Sequence, residues 1–114
     1  MMNQESLNQR IQKQIENHDV MLYMKGDRLF PQCGFSAQVV KILDYLGVNY
    51  ETHDILTDPE LRSGMKNFSN WPTFPQLFVK TELIGGCDIV TSLFETGELQ
   101  KLFQEKAISL KAPA

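Results

Sequence analysis

Residues 20–46, VMLYMKGDRLFPQCGFSAQVVKILDYL, set the fold of the chain. The run Val20–Met24 has the length and the apolar character of a buried strand. Residues 35–46 repeat their apolar side chains at helical spacing, and Gly47 after them supplies a left-handed helix stop. Cys33 therefore lies in a loop that joins a strand to the start of a helix.

Cys33 is placed where a thiolate is favoured over a thiol. The first backbone N–H groups of a helix are free and the helix dipole is positive at that end, so we expect the pKa of the Cys33 thiol to fall below its ordinary value. The third residue after Cys33 is Ser36, where a dithiol redox site carries its second cysteine. Cys33 can therefore attack an electrophile or bind a metal, but it has no neighbouring thiol with which to form a disulfide.

The composition is that of one globular domain spanning residues 1–114. Charged residues make up 22% of the chain, and a net charge of -3 gives no indication of nucleic-acid binding. The N-terminal residues lack the apolar segment of a secretory signal, and no run reaches the roughly 18 apolar residues of a membrane span. Two cysteines cannot build a disulfide framework, so we expect a cytoplasmic protein that binds neither nucleic acid nor membranes.

The whole chain predicts an α/β sandwich around a four-stranded mixed sheet. Asp58 and Pro59 mark one helix start, as cap and first helical residue, and Ser6 is the predicted cap of the first helix. A strand–helix–strand unit implies a parallel pair, and two strands joined near Lys80 should form an antiparallel hairpin. The predicted elements are helices at 6–17, 35–46, 59–68, 88–95 and 98–107 and strands at 20–24, 48–55, 76–79 and 81–84, followed by a flexible tail at 109–114.

Three loops at strand–helix boundaries could carry chemistry, at 25–33, 71–75 and 85–88. In an open α/β sheet, ligands bind in the crevice beyond the strand ends. Two glycines precede the helix predicted at Asp88, so its free N–H groups are a ready anion site and Asp88 could pair with an ammonium group. Arg62 lies one helical turn from Lys66, on the same face.

Four short motifs in these loops resemble the signatures of one family, the monothiol glutaredoxins. They are Lys25-Gly26, Cys33-Gly34-Phe35-Ser36, Trp71-Pro72-Thr73-Phe74-Pro75-Gln76 and Gly85-Gly86-Cys87-Asp88, in the family's order. The match extends over residues 7–103 and is most similar to the short, single-domain bacterial type. In one departure, Asp27-Arg28 stands where the family often has a proline two residues after its lysine-glycine. The resemblance implies a thioredoxin-like fold, with a four-stranded mixed sheet flanked by about five helices.

The resemblance also implies a glutathione-binding site. One implied contact has a clear chemical reason, because the guanidinium of an arginine can bind both oxygens of a carboxylate. The implied contacts are Lys25 and Arg62 at the glycine carboxylate, Thr73 and Phe74 beside a cis Pro75 at the cysteinyl part, and Cys87 and Asp88 at the γ-glutamyl group.

Several of these residues also have a plainer interpretation. The two cations could be solvated surface side chains, and Phe74 could pack in the core. Cys87 is more simply a small packing residue whose backbone N–H matters more than its sulfur. We interpret Lys66 as a bystander that adds positive potential, and Trp71 as a structural residue.

For Cys33 the resemblance implies the role of an iron ligand. A two-iron two-sulfur cluster usually needs four thiolates, and two chains with two glutathiones supply that number. A cluster-bridged homodimer is therefore implied, and the family's BolA-like partners and iron–sulfur acceptor proteins are implied partners. The predicted function is iron–sulfur cluster assembly or transfer, with a role in iron homeostasis.

An enzyme is the alternative. Cys33 would attack a glutathionyl disulfide and free glutathione would resolve the product, a route that needs one cysteine only. Phe35 and Ser36, in place of the usual aromatic residue and second cysteine of dithiol members, favour the carrier and leave at most a weak oxidoreductase. A third hypothesis is an interaction domain that uses the fold without glutathione.

Overall fold

The structure, a computed structural model, describes residues 3–111. The order of helices and strands is the predicted one, and the bounds are α1 Gln4–Asn17, β1 Val20–Met24, α2 Gly34–Leu46, β2 Glu51–Asp54, a 3-10 turn Ile55–Thr57, α3 Pro59–Ser69, β3 Gln76–Val79, β4 Glu82–Gly85, α4 Cys87–Glu95 and α5 Glu98–Glu105.

The four strands form one mixed sheet in the order β2-β1-β3-β4. β1 runs parallel to β2 and antiparallel to β3, which confirms the parallel pair expected for the strand–helix–strand unit. β3 and β4 form the predicted antiparallel hairpin. Its turn uses Lys80 and Thr81, both in the left-handed region with φ of 49° and 70°, so β4 begins one residue later than predicted.

Helices cover both faces of the sheet, and β1 is consequently buried along its whole length. Successive strand residues point to opposite faces. Leu22 belongs to the core cluster that includes Leu43 of α2 and Val90 of α4. Tyr23 belongs to the cluster on the other face, which includes Ile11 of α1 and residues of α3.

Two predicted boundaries are corrected by side-chain caps. The predicted cap Ser6 lies inside α1, because Asn3 caps the helix and accepts a hydrogen bond from the Ser6 N–H at 2.8 Å. The predicted second strand at 48–55 is shortened to Glu51–Asp54. It ends at Asp54 because that carboxylate accepts from the Leu56 N–H at 2.9 Å and begins a 3-10 turn.

The end of the described chain packs against the core. The predicted helix at 98–107 stops at Glu105, and Ala107 then adopts a φ of 59°. Leu110 packs on the cluster that contains α2, and the Lys111 N–H donates to the Leu46 carbonyl at 3.1 Å. These contacts involve two residues of the predicted flexible tail at 109–114, and residues 112–114 of that tail lie outside the described residues.

Within residues 3–111, the helices are too short or too polar for any of them to traverse a lipid bilayer.

Candidate functional site

Cys33 is the N-cap residue of α2 and makes no side-chain cap hydrogen bond. Its thiol is free and half-buried. The backbone N–H of Ser36 is the largest cause that lowers the pKa of this thiol, and it outweighs the upward effect of burial. The N–H of Phe35, the charge of Lys25 and the Ser36 hydroxyl lower the pKa further. The structure thus agrees with the expectation that the thiolate is favoured at the start of this helix.

The loop that carries Lys25 is held by two side chains from other elements. The Ser36 hydroxyl, fully buried, accepts from the Lys25 N–H at 3.1 Å, and the Asp54 carboxylate accepts from the Gly26 N–H at 2.9 Å. Gly26 has a φ of 86°, and a Cβ there would lie 2.5 Å from the Phe30 carbonyl oxygen. Sequence reasoning treated Ser36 only as an absent thiol and missed Asp54, which ends β2 and reaches this loop only because β2 pairs with β1.

Asp27-Arg28, the departure from the family's proline, organises the same loop by polar contacts. Asp27 Oδ1 accepts from the N–H groups of Leu29 and Phe30, two and three residues further on, at 2.9 and 2.8 Å. The Arg28 guanidinium pairs with Asp44 of α2 at 3.1 Å and lies 4.3 Å from the centre of the Tyr50 ring. The loop is therefore fixed in this chain without that proline.

The loop before β3 contains a cis peptide bond between Phe74 and Pro75, as the resemblance implied. The amide of Gln76, fully buried, donates to the carbonyls of Trp71 and Thr73 at 3.1 and 3.2 Å. Phe74 is 6% exposed and belongs to the core cluster of α1 and α3, while Thr73 is exposed. Gln76 therefore shapes this loop, a role that its position in the sequence did not indicate.

The start of α4 approaches this loop closely. Gly86 is the N-cap residue and leaves the first turn without a side-chain cap. A Cβ at Gly86 would lie 3.2 Å from the Pro75 carbonyl oxygen and 3.3 Å from Trp71 Nε1, so glycine permits the approach. Asp88 is exposed in the first turn, and the half-buried Cys87 thiol lies 3.8 Å from the Thr91 hydroxyl.

Asp58 fixes the helix that presents Arg62 and Lys66. It caps α3 by accepting from the Leu61 N–H at 3.3 Å, and its other oxygen accepts from Arg10 and faces His53 Nε2 at 3.0 Å. Burial alone would raise the pKa of Asp58, but these partners outweigh burial and hold that pKa below its ordinary value.

One cleft of about 420 Å³ brings all six predicted glutathione ligands together. We call it the cationic cleft, because its charged lining residues are three cations and the Asp88 carboxylate. Trp71 lines it as well, and its Nε1 is buried without a hydrogen-bond partner among residues 3–111. Lys66 and Trp71, interpreted from sequence as a bystander and a structural residue, are thus part of the cleft wall. The predicted residues that meet here are Lys25, Arg62, Thr73, Phe74, Cys87 and Asp88.

Cys33 lines a second cleft of about 570 Å³ between α2 and α4, which we call the α2–α4 groove. Phe35, Cys87 and Asp88 line both clefts and therefore form their common border. A ligand in the cationic cleft would reach Cys33 across this border.

The motifs that line the two clefts have counterparts in known proteins. The sequence matches the glutaredoxin family over residues 20–84. It is 47% identical over 104 residues to glutaredoxin 4 of Escherichia coli K12, covering 91% of this chain and 90% of that protein. The chain belongs to the monothiol glutaredoxins. Two plant monothiol glutaredoxins also match at 51% and 53% identity, but this glutaredoxin spans only 22% and 21% of their length.

Solved structures agree with the fold of this glutaredoxin. A monomeric truncated mutant of Trypanosoma brucei 1-C-Grx1 has a TM-score of 0.85 at 39% identity, covering 93% of this chain and 96% of that one. A buckwheat glutaredoxin in complex with glutathione has a TM-score of 0.80 at 22% identity, covering 91% and 93%. The thioredoxin-like fold predicted from the motifs is therefore confirmed.

Proposed function

We propose that this glutaredoxin binds glutathione in the cationic cleft and carries a two-iron two-sulfur cluster between two copies of the chain. The observation that carries the proposal is the free Cys33 thiol, its pKa lowered, with Ser36 in place of a second thiol and the cationic cleft beside it. The cluster is cargo, and the function is iron–sulfur cluster assembly or transfer and iron homeostasis in the cytoplasm.

The charges of the cationic cleft suit glutathione, which has a carboxylate at each end and one ammonium group. Lys25 and Arg62 can bind the glycine carboxylate, where the planar guanidinium takes two oxygens together. The uncapped N–H groups at the start of α4 can bind the γ-glutamyl carboxylate, with Asp88 next to the ammonium group. The complex of the buckwheat glutaredoxin with glutathione supports this ligand.

The ligand count supports the dimer. A cluster of this type usually takes four thiolates, and each chain offers one from Cys33, since the Cys87 thiol faces the Thr91 hydroxyl. Among residues 3–111, no group of three His, Cys, Asp or Glu side chains is close enough to hold a metal ion. Each chain therefore contributes one thiolate, from Cys33. The other three ligands would be Cys33 of the second chain and the thiolates of two glutathione molecules.

The chain's own residues have three tasks in this function. Cys33 forms its thiolate more readily than an ordinary cysteine, because the N–H groups of α2 stabilise the charge and lower the pKa of the thiol. The cationic cleft orients glutathione so that its sulfur lies near Cys33. Half of the ligands are then exchangeable small molecules, which suits transfer to an acceptor protein; BolA-like proteins and iron–sulfur acceptors are the proposed partners.

Anaerobic reconstitution with ferrous iron, sulfide and glutathione tests the proposal. We expect the visible absorption of a bound cluster in the parent protein and in Cys87→Ser, since the Cys87 thiol faces Thr91 and is not a proposed ligand of the iron, and the substitution keeps the backbone N–H that would contact glutathione. Cys33→Ser should stay colourless. A parent protein that stays colourless with glutathione present, or a Cys33→Ser variant that still binds the cluster, contradicts the proposal.

The second candidate is glutathione-dependent thiol–disulfide exchange, and the lowered pKa of Cys33 favours it. The Cys33 thiolate would attack the glutathione sulfur of a mixed disulfide and release the substrate's thiol. Free glutathione would then attack the Cys33–glutathione disulfide, giving oxidised glutathione and the regenerated thiolate. Turnover of a small glutathionyl disulfide at the rate of a dithiol glutaredoxin would favour this candidate over the carrier.

A further inference from the structure

The α2–α4 groove begins at Cys33 and follows one face of α4. Cys87, Thr91 and Glu95 succeed one another at four-residue spacing, so they lie on the same face of that helix. Gly34 and Gln38 line the groove from α2 with the same spacing. β1 and β4 are each antiparallel to β3, so the helices that follow them, α2 and α4, begin at the same edge of the sheet. Cys33 and Cys87 therefore lie at one end of the groove, and Glu95 lies about two helical turns further along α4.

The groove and the cationic cleft have opposite charge. The α2–α4 groove is lined by the two carboxylates of Asp88 and Glu95 and by no lysine, arginine or histidine of the described chain. The cationic cleft has three cations against the single carboxylate of Asp88. The cationic cleft therefore favours an anionic ligand, and the α2–α4 groove favours a cationic one.

The polar side chains of the groove are free to bind a ligand. Gln38, Ser92 and Glu95 have no side-chain hydrogen bond or ion pair with any residue between 3 and 111. An amide, a hydroxyl and a carboxylate can together pair with the N–H and C=O groups of an extended backbone. The exposed ring of Phe35, 62% accessible, adds an apolar contact next to Cys33.

We propose that the α2–α4 groove receives an extended segment of a partner protein, with a cysteine at Cys33 and a basic residue at Glu95. Eight residues of helix separate Cys87 from Glu95, a rise of about 12 Å. An extended chain advances about 3.3 Å per residue, so the basic residue lies three or four positions from the partner's cysteine. The inference rests on the proposed function only in taking Cys33 as the reactive group.

Disulfide exchange with short peptides tests this inference without glutathione or a cluster. Each peptide has one central cysteine, activated as its mixed disulfide with thionitrobenzoate. Three peptides are compared, which differ only in the residue placed four positions before and four positions after this cysteine: lysine, serine or glutamate. The Cys33 thiolate attacks the peptide sulfur, a Cys33–peptide disulfide forms, and coloured thionitrobenzoate leaves. The full chain carries Cys87→Ser throughout, so that Cys33 is its single thiol.

We expect the lysine peptide to react about fivefold faster than the serine peptide at low ionic strength, the size of one partly screened charge pair. Glu95→Gln should bring that ratio close to one, and the rate with the serine peptide monitors whether Cys33 itself is unchanged. Glu105→Gln on α5 makes the same change in net charge outside the groove and should preserve the ratio.

Equal rates for the lysine, serine and glutamate peptides with the Cys87→Ser chain would overturn the inference. So would a Glu105→Gln variant that lowers the ratio as much as Glu95→Gln, because net charge rather than the groove would then select the peptide. Neither result bears on cluster binding, which reconstitution tests separately.

Discussion

The hydroxyl of Ser36 accepts a hydrogen bond from the backbone N–H of Lys25 at 3.1 Å. Ser36 stands where a dithiol site has its second thiol, and it joins the helix next to Cys33 to the loop of the cationic cleft. The same hydroxyl also lowers the pKa of the Cys33 thiol. The residue that removes dithiol chemistry from this site thus helps to build the site.

Ser36→Ala should weaken both functions of this hydroxyl. The partly buried Lys25 N–H loses its acceptor, so we expect the free energy of unfolding to fall by about 1–2 kcal/mol in urea titrations. The pKa of Cys33, followed by iodoacetamide alkylation against pH, should rise. Ser63→Ala, an exposed serine of α3, is the matched control and should change neither quantity. A Ser36→Ala protein as stable as the control would contradict the role of this bond.

Lys25→Met should raise the pKa of Cys33, because the lysine's charge stabilises the thiolate. In the parent protein the positive charge of Lys25 helps the thiol to ionise below its ordinary pKa. Without that charge, a higher pH is needed to form the thiolate, so the alkylation profile of the variant should move to higher pH. Lys41→Met removes an exposed charge from α2 that does not act on Cys33 and should leave the profile in place. An unmoved profile in Lys25→Met would refute this electrostatic contribution.

Asp54 should control glutathione affinity without touching the ligand. Asp54→Ala leaves the Gly26 N–H without its acceptor and frees the backbone next to Lys25, so we expect about tenfold weaker glutathione binding by calorimetry. Asp54→Asn keeps an acceptor oxygen at the same position and should recover most of the affinity. If the two variants bind equally well, Asp54 does not position Lys25 through this hydrogen bond.

Asp58 should contribute stability that depends on pH. Its folded pKa is lowered, so the contribution is complete above the ordinary aspartate pKa of about 4 and is lost as pH falls through the folded value. Asp58→Asn keeps a helix cap but loses the charge paired with Arg10, and we expect a loss of about 1–2 kcal/mol at pH 7 that shrinks as the pH falls below the ordinary aspartate pKa of about 4.

Two comparisons separate charge from capping at this position. Asp58→Ala should lower the free energy of unfolding by about 1 kcal/mol more than Asp58→Asn, both at pH 7 and at pH 3, since alanine also lacks the helix cap. Asp19→Asn breaks an exposed pair with Lys80 and should cost little at either pH. A loss in Asp58→Asn that is the same at pH 7 and pH 3 would contradict the assigned ionic contribution.

Local patterns predicted most of the fold. The left-handed stop at Gly47 and the start of α3 at Asp58 and Pro59 are confirmed, because each depends on the backbone preferences of one or two adjacent residues. The cap of α1 was assigned to Ser6 instead of Asn3, since both residue types cap helices and only the structure distinguishes them.

The supports of the site could not be predicted in the same way. Two side chains, Ser36 and Asp54, accept hydrogen bonds from backbone N–H groups of a distant segment. A third, Gln76, donates to a carbonyl of the loop that precedes it. The spacing of apolar residues in the sequence does not indicate such bonds. The contacts of Leu110 and Lys111 could not be predicted for a related reason, because Leu110 packs on a surface that exists only after α2 and the sheet have assembled.

The mass of the native, anaerobically reconstituted protein tests the central claim most directly, because it counts chains, cluster and glutathione in one species. We predict two chains, one two-iron two-sulfur cluster and two glutathiones, and single chains without a cluster for Cys33→Ser. A cluster on one chain, or a cluster-bridged dimer that contains no glutathione, would contradict the proposed roles of Cys33 and of the cationic cleft.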